Sequence, residues 1–271
     1  MRTTLPVAAA LLVLATTSTP ARADRDALWT ILNTSCVPAA HAAALPAPCA
    51  RIELPADGHT GWVLMKDRRG ALQFLLLPTS RIPGIESPAL LSADTPNFFA
   101  AAWRSRDLLD RRRGQPLPRD TVSLTLNPIR RRSQDQLHIH ISCVRPELRA
   151  RLAVVQGEIS SAWAPLPGGW LNHPWLVRRV DAETLDGINP ISDVVAQVPG
   201  AAGNMGVVGI SVVGMTFKDA KPGFVLMATR WDSSDLSSGS AEHDVQDHDC
   251  AVLGDKRPRD AAELALPRED D

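Results

Sequence analysis

The ten residues QDQLHIHISC, Gln134 to Cys143, alternate polar and apolar side chains. Successive side chains of a β-strand point to opposite faces. Read as a strand, Gln136, His138, His140 and Ser142 line one face, and Leu137, Ile139, Ile141 and Cys143 line the other. One face is core, and the other is polar or chemical.

The neighbouring segments give the strand its context. TVSLTLN, Thr121 to Asn127, alternates as a second strand that Pro128 ends, and Pro146 opens a helix reaching about Ile159 through ELRARLAVVQGEI. Proline suits the first helical turn because its missing N–H has no partner there. A strand, a strand and then a helix is typical of an α+β fold.

Further out, GWVLMKD (Gly61 to Asp67) and ALQFLLLPT (Ala71 to Thr79) read as a hairpin closed at Arg68-Arg69-Gly70. GISVVGMTF and GFVLMATRW read as a second hairpin-like pair, and WLVRRV as a strand. Helices are expected at Arg25 to Leu32, at about Asn97 to Arg113 and near Ser192 to Val198. Residues 24–250 are expected to form the folded domain. The tail 251–271 is charged, has few large apolar residues, and is expected to be disordered.

MRTTLPVAAALLVLATTSTPARA at the N-terminus combines Arg2, an apolar run from about Leu5 to Ala15, and Ala21-Arg22-Ala23. That is the layout of a signal peptide over residues 1–23, with an uncleaved N-terminal anchor as the alternative. The apolar run is shorter than the roughly 20 residues of a membrane span. Export to an oxidising compartment fits Cys36, Cys49, Cys143 and Cys250, an even set allowing three pairings. Cys36 and Cys49 bracket a Pro- and Ala-rich loop and form the easiest local pair, which leaves Cys143 with Cys250. The formal net charge of -1 gives no whole-chain case for nucleic acid, and none is expected as a partner. Charge is local, with arginine triplets at Arg111 to Arg113 and Arg130 to Arg132. They are solvated faces or, for the second triplet, phosphate contacts, to which a planar guanidinium is suited.

Several roles fit His138 and His140. They belong to a satisfied polar face, or they ligate Zn with His173 or His248 as a third ligand. A two-histidine phosphoesterase needs His-x-Ser/Thr twice, and only His140-Ile141-Ser142 supplies it. The remaining role is attack of an imidazole nitrogen on phosphorus through a covalent phosphoramidate. That nitrogen must be unprotonated, with the ring proton held on the far side, and donors must face the phosphate oxygens. This chemistry needs no metal, and no cofactor is expected.

The alternation, with Asn127 eleven residues before His138 and Gln134 four before it, resembles the histidine-triad family of nucleotide hydrolases and transferases. FLLLPTSRI, Phe74 to Ile82, looks like that family's strand ending in a proline and basic loop. Ser142 stands where the family carries a third histidine. Over NPIRRRSQDQLHIHISCVRPELR, the cysteines near the N-terminus and AEHDVQDHDC (Ala241 to Cys250), the chain is similar to bacterial CDP-diacylglycerol pyrophosphatases, exported and membrane-associated relatives of the histidine-triad enzymes.

The resemblance implies a histidine-triad-like antiparallel sheet with flanking helices and a C-terminal extension. It implies hydrolysis of CDP-diacylglycerol to CMP and phosphatidate at the periplasmic face of the inner membrane, with the membrane surface as partner. His140 is then the nucleophile and His138 an orienting residue. Asn127, Gln134, Ser142, Arg130 and Arg132 are the proposed phosphate or sugar contacts. His248 joins them if Cys143 pairs with Cys250. Trp103, Trp163, Trp170 and Trp175 are candidates for a lipid-facing surface, with core packing as the alternative. A homodimer, as many histidine-triad relatives form, is the alternative to a monomer. The rivals are an exported metal- or lipid-binding protein without catalysis, and a hydrolase of soluble nucleotides.

Overall fold

A computed structural model describes residues 24–56 and 58–254. The leader or anchor expected over residues 1–23 and most of the tail lie outside the described residues. Among those described, no helix is long and apolar enough to cross a membrane.

The fold is α+β, built on one antiparallel sheet of ten strands. These are β1 (Cys49–Glu53), β2 (Trp62–Lys66), β3 (Phe74–Pro78), β4 (Val122–Leu126), β5 (Ile139–Val144), β6 (Ala164–Pro165), β7 (Trp175–Val180), β8 (Val208–Thr216), β9 (Pro222–Arg230) and β10 (Gln246–Asp247). Their order is β1-β2-β3-β5-β4-β8-β9-β7-β6, with β10 pairing β5 beyond the end of β3. The helices are α1 (Ala27–Ile31), α2 (Phe98–Arg104), α3 (Asp107–Arg113), α4 (Pro146–Val155), α5 (Pro190–Gln197) and α6 (Ala241–Val245).

The two sheet faces differ, and the difference creates the site. One face carries a continuous core: Leu64, Leu76, Ile139, Ile141, Leu124 and Leu226 pack with α2, α3 and α5. The other face is apolar only at its ends. Val63, Met65 and Leu75 meet the residues of α1 at one end, and Val213, Val225 and Met227 meet α4 at the other. Between them runs a buried polar stripe of His140, Ser142, Ser123, Thr125 and Ser211. Strand register makes the stripe, pairing Thr125 with His140, Ser123 with Ser142, and Thr125 with Ser211 across β4. Alternation thus placed the polar face correctly, but that face is covered rather than open, since all six residues of β5 are buried.

Local departures from expectation have local causes. The helix expected from Asn97 to Arg113 is two helices that meet at Ser105 and Arg106, where the Ser105 amide is shared between the Ala101 and Ala102 carbonyls and its hydroxyl also donates to the Ala101 carbonyl at 2.9 Å. Asn97 caps α2 by accepting from Ala100 N at 3.1 Å. The hairpin of β2 and β3 turns at Gly70, whose φ of +69° suits a residue without Cβ. A Cβ there would also lie 3.0 Å from the His248 carbonyl, so Gly70 admits the C-terminal segment. Of the tail 251–271, residues 251–254 are among those described. Ala251–Leu253 form a 3-10 turn, and Val252 and Leu253 pack against the core.

Both disulfides are formed, Cys36 with Cys49 and Cys143 with Cys250. The second ties the C-terminal segment to β5 across a sequence separation of 107.

Candidate active site

His138 enters β5 and His140 lies within it, their rings edge to face with centroids 5.0 Å apart. Both line a cleft of about 550 Å³ roofed by Leu28 and Ile31 of α1 and floored by Met65 and Leu75. Polar walls come from Lys66, Asp67, Arg68 and Gln134. The cleft is therefore apolar on the α1 side and charged at the Lys66–Arg68 end.

Hydrogen bonds assign the ring protons. His138 Nδ1 lies 2.7 Å from the Gln136 carbonyl, which only accepts, so Nδ1 carries the proton and a neutral ring keeps a lone pair on Nε2. His140 is held differently. Gln73 Nε2 donates to Asp67 Oδ2 at 3.0 Å and Glu242 Oε1 at 3.3 Å, which identifies it as the amide nitrogen. His140 Nδ1, 3.1 Å from that nitrogen, is a third acceptor sharing its two N–H groups, and a neutral His140 ring then carries its proton on Nε2, which faces Glu242 Oε2 at 3.3 Å.

The C-terminal segment brings Glu242 and His248 to this point. Asn127 clamps Glu242 at both ends, Nδ2 donating to Oε2 at 3.0 Å and Oδ1 accepting from the Glu242 amide at 3.1 Å. His248 Nδ1 donates to Gln73 Oε1, and its Nε2 lies 3.4 Å from Glu242 Oε1. Gln246 Nε2 reaches the carbonyls of Ser123 at 3.1 Å and His140 at 3.3 Å. Behind it, fully buried Asp244 accepts from His173 Nδ1 at 2.6 Å and anchors α6.

Comparison with known proteins decides the family. The CDP-diacylglycerol pyrophosphatase family model matches residues 23–254. A CDP-diacylglycerol pyrophosphatase of Yersinia pestis is 40% identical over 230 residues, covering 85% of this chain and 86% of that protein. The chain belongs to the CDP-diacylglycerol pyrophosphatase family.

In this family member the electrostatics of the cluster follow from burial. Burial, and then the neighbouring His140, hold His138 down at about 4, so it is neutral at physiological pH. Burial alone would raise Glu242, but His140, His248, His138 and the Gln73 amide outweigh it and keep the carboxyl below its usual range. His248 is lowered by burial, against the pull of Glu242, with His140 adding to the lowering.

The His138 shift has a consequence for stability. Its folded pKa lies below the ordinary 6.5, so the unfolded chain binds the proton first as pH falls. Its contribution is complete above about pH 6.5 and is lost towards pH 4, about 3 kcal/mol in all. Urea midpoints measured from pH 7.5 to 4.5 should fall less steeply in His138→Asn than in the parent. Parallel curves would refute the assignment.

Other family-member residues proposed for the site lie in several places. Asn127 is in the cluster and Gln134 lines the cleft, although its amide also holds the incoming chain, accepting from Leu28 N at 3.0 Å and donating to the Asp24 carbonyl at 2.9 Å. Ser142 is fully buried beside the cluster on the same strand face, and among the described residues its Oγ has no hydrogen-bond partner. The cleft wall takes Ser133 and Gln134 from the arginine-rich loop, but neither Arg130 nor Arg132. Arg130 lies over the Trp231 ring at 5.7 Å. Arg132, its side chain 5% exposed, grips Glu86 through two bonds of 2.7 and 2.8 Å and Asp135 at 3.1 Å. Arg132→Ala leaves Glu86 without its guanidinium partner while Asp135 keeps Arg25 at 2.6 and 2.7 Å, and we expect a loss of about 2 kcal/mol in urea unfolding.

The four tryptophans named above are held by the protein itself. Trp103 and Trp175 are core residues, Trp163 donates to Asp193 at 3.0 Å, and Trp170 donates to the Asp244 carbonyl at 2.8 Å. Gln73 and Glu242 were missed from sequence. Gln73 sits just before β3 in a stretch of otherwise apolar character, and Glu242 is one of several acids in AEHDVQDHDC.

Proposed function

We propose that this protein hydrolyses the pyrophosphate bond of CDP-diacylglycerol, giving CMP and phosphatidate through a covalent cytidylyl-histidine. The observation that carries the reading is the paired histidines opening on a half-apolar cleft, in a chain of this family. An imidazole lone pair attacks the phosphorus bound to cytidine, and the bond to the phosphatidate oxygen breaks. Water then attacks the same phosphorus, the N–P bond breaks, and one water has been consumed.

The motif position makes His140 the nucleophile and His138 its orienting neighbour. For that attack the His140 proton must move from Nε2 to Nδ1, and a turn of the Gln73 amide brings Oε1 to receive it. A second reading has a specific observation behind it. His138 already holds its proton on Nδ1 against the Gln136 carbonyl, so its Nε2 is the attacking nitrogen without rearrangement. Rapid quenching with CDP-diacylglycerol labelled in the cytidylyl phosphate, followed by peptide mapping, distinguishes the two. Label on neither histidine would remove the covalent route.

Two disulfides favour an exported protein, and the reading places it at the periplasmic face of the inner membrane, acting on lipid at the bilayer. Turnover of CDP-diacylglycerol in mixed micelles, compared with a water-soluble CDP-alcohol, tests the lipid requirement. Equal kcat/KM for both would leave a soluble-nucleotide hydrolase.

A further inference from the structure

Four nitrogens from three separate parts of the chain converge on one carboxylate. Glu242 Oε2 lies 3.0 Å from Asn127 Nδ2 and 3.3 Å from His140 Nε2. Glu242 Oε1 lies 3.3 Å from Gln73 Nε2 and 3.4 Å from His248 Nε2. The Asn127 and Gln73 amides and the His140 Nε2–H face the carboxylate as N–H donors, and His248, whose proton lies on Nδ1, adds a fourth when it is protonated; donors arranged round an anion in a partly dry site are what a phosphate requires. His140 belongs to this ring of donors and also lines the cleft, so the ring lies at the cleft's end.

We propose that Asn127, Gln73, His140 and His248 form a phosphate-binding cradle, and that the Glu242 carboxylate is its resident anion, withdrawing when a ligand phosphate enters. The ligand is a phosphate of a nucleotide or of its pyrophosphate ester, and that identity rests on the hydrolase reading above.

Two negative groups at ordinary contact distance in a poorly solvated site repel strongly. Phosphate and Glu242 therefore exclude each other. The side chain can withdraw because it is held by its tip, while α6 is independently fixed by Asp244, by the Ser240 cap and by Gln246. The histidines that surround Glu242 hold it ionised. Other titratable groups facing the cradle are His138 just before β5, which is neutral, Asp67 at the end of β2, whose Oδ2 accepts from Gln73, and Asp247 beside His248. Asp67 disfavours an anion, so the preference of the cradle comes from the Asn127, Gln73 and His140 N–H groups and from His248 when it is protonated.

The test is CMP and inorganic phosphate binding to the full protein by calorimetry. Glu242→Ala should bind both at least about tenfold more tightly than the parent, a gain of about 1.4 kcal/mol. Adding Asn127→Ala should abolish the gain. Tightening for CMP alone assigns the cradle to nucleotide phosphate, and tightening for both assigns it to phosphate in general. Glu242→Gln keeps the shape and removes the charge. Unchanged affinity in Glu242→Gln and Glu242→Ala, with melting curves like the parent, would overturn the cradle, as would slower turnover at unchanged affinity, which assigns Glu242 to proton transfer. Failure of the hydrolase reading appears separately, as no CMP release by the parent.

Discussion

His140→Ala releases CMP from CDP-diacylglycerol at least about 10³-fold more slowly than the parent, while its urea midpoint stays close to the parent's. Removing a nucleophile removes the covalent route entirely, and losses of this size or larger follow elsewhere. The ring is buried but contacts Gln73 and Glu242 through its edges, so truncation leaves those two still bonded to each other. His138→Ala is the companion measurement. If His140 attacks, His138→Ala costs about 10²-fold or less and still yields labelled enzyme. If His138 attacks, the magnitudes exchange and the label is lost only in His138→Ala. Parent-like turnover in both variants would sink the histidine mechanism.

Breaking the Cys143–Cys250 bridge has the largest expected effect on stability. The Cys143→Ala/Cys250→Ala pair should lose about 4 kcal/mol, because the bridge closes a loop with a sequence separation of 107. The same change at Cys36 and Cys49, separated by 13, should cost less, about 3 kcal/mol. Activity separates them further. Cys250 lies two residues from His248, and β10 pairs with the residues of β5 that include Cys143. Losing the bridge frees the segment that carries His248 and Glu242, so turnover falls even where the protein remains folded. The Cys36–Cys49 variant keeps that segment in place and keeps most of its activity. Equal urea midpoints and equal turnover for the two bridge variants would contradict this.

Much of the sheet was legible because period-two alternation reports directly on strand faces. β2, β3, β4, β8 and β9 lie within three residues of where Gly61 to Thr79, Thr121 to Asn127 and the two late apolar runs placed them. The break at Ser105 was not legible, since a serine hydroxyl has several local partners and only geometry selects the Ala101 carbonyl. Nor was β10, a two-residue strand with no periodicity of its own.

The site divides in the same way. His138, His140 and Asn127 stand out because residue type and spacing along adjacent strands carry the signal. The roles of Arg130 and Arg132 depend on partners at Trp231 and Glu86, far from them in sequence. Gln73 and Glu242 became visible only when chain segments 169 residues apart met at one hydrogen bond.

By itself the sequence determined the α+β character, the strand that carries the histidines, the face they share and the set of cysteines available for bridging. Those are local properties of alternation and residue type. Tertiary structure decided that this face is covered, that Glu242 and His248 meet His140 there, and which nitrogen of each ring holds the proton. Each of these depends on which distant group packs against the strand, and a linear pattern contains no distance between segments that meet only in the folded chain.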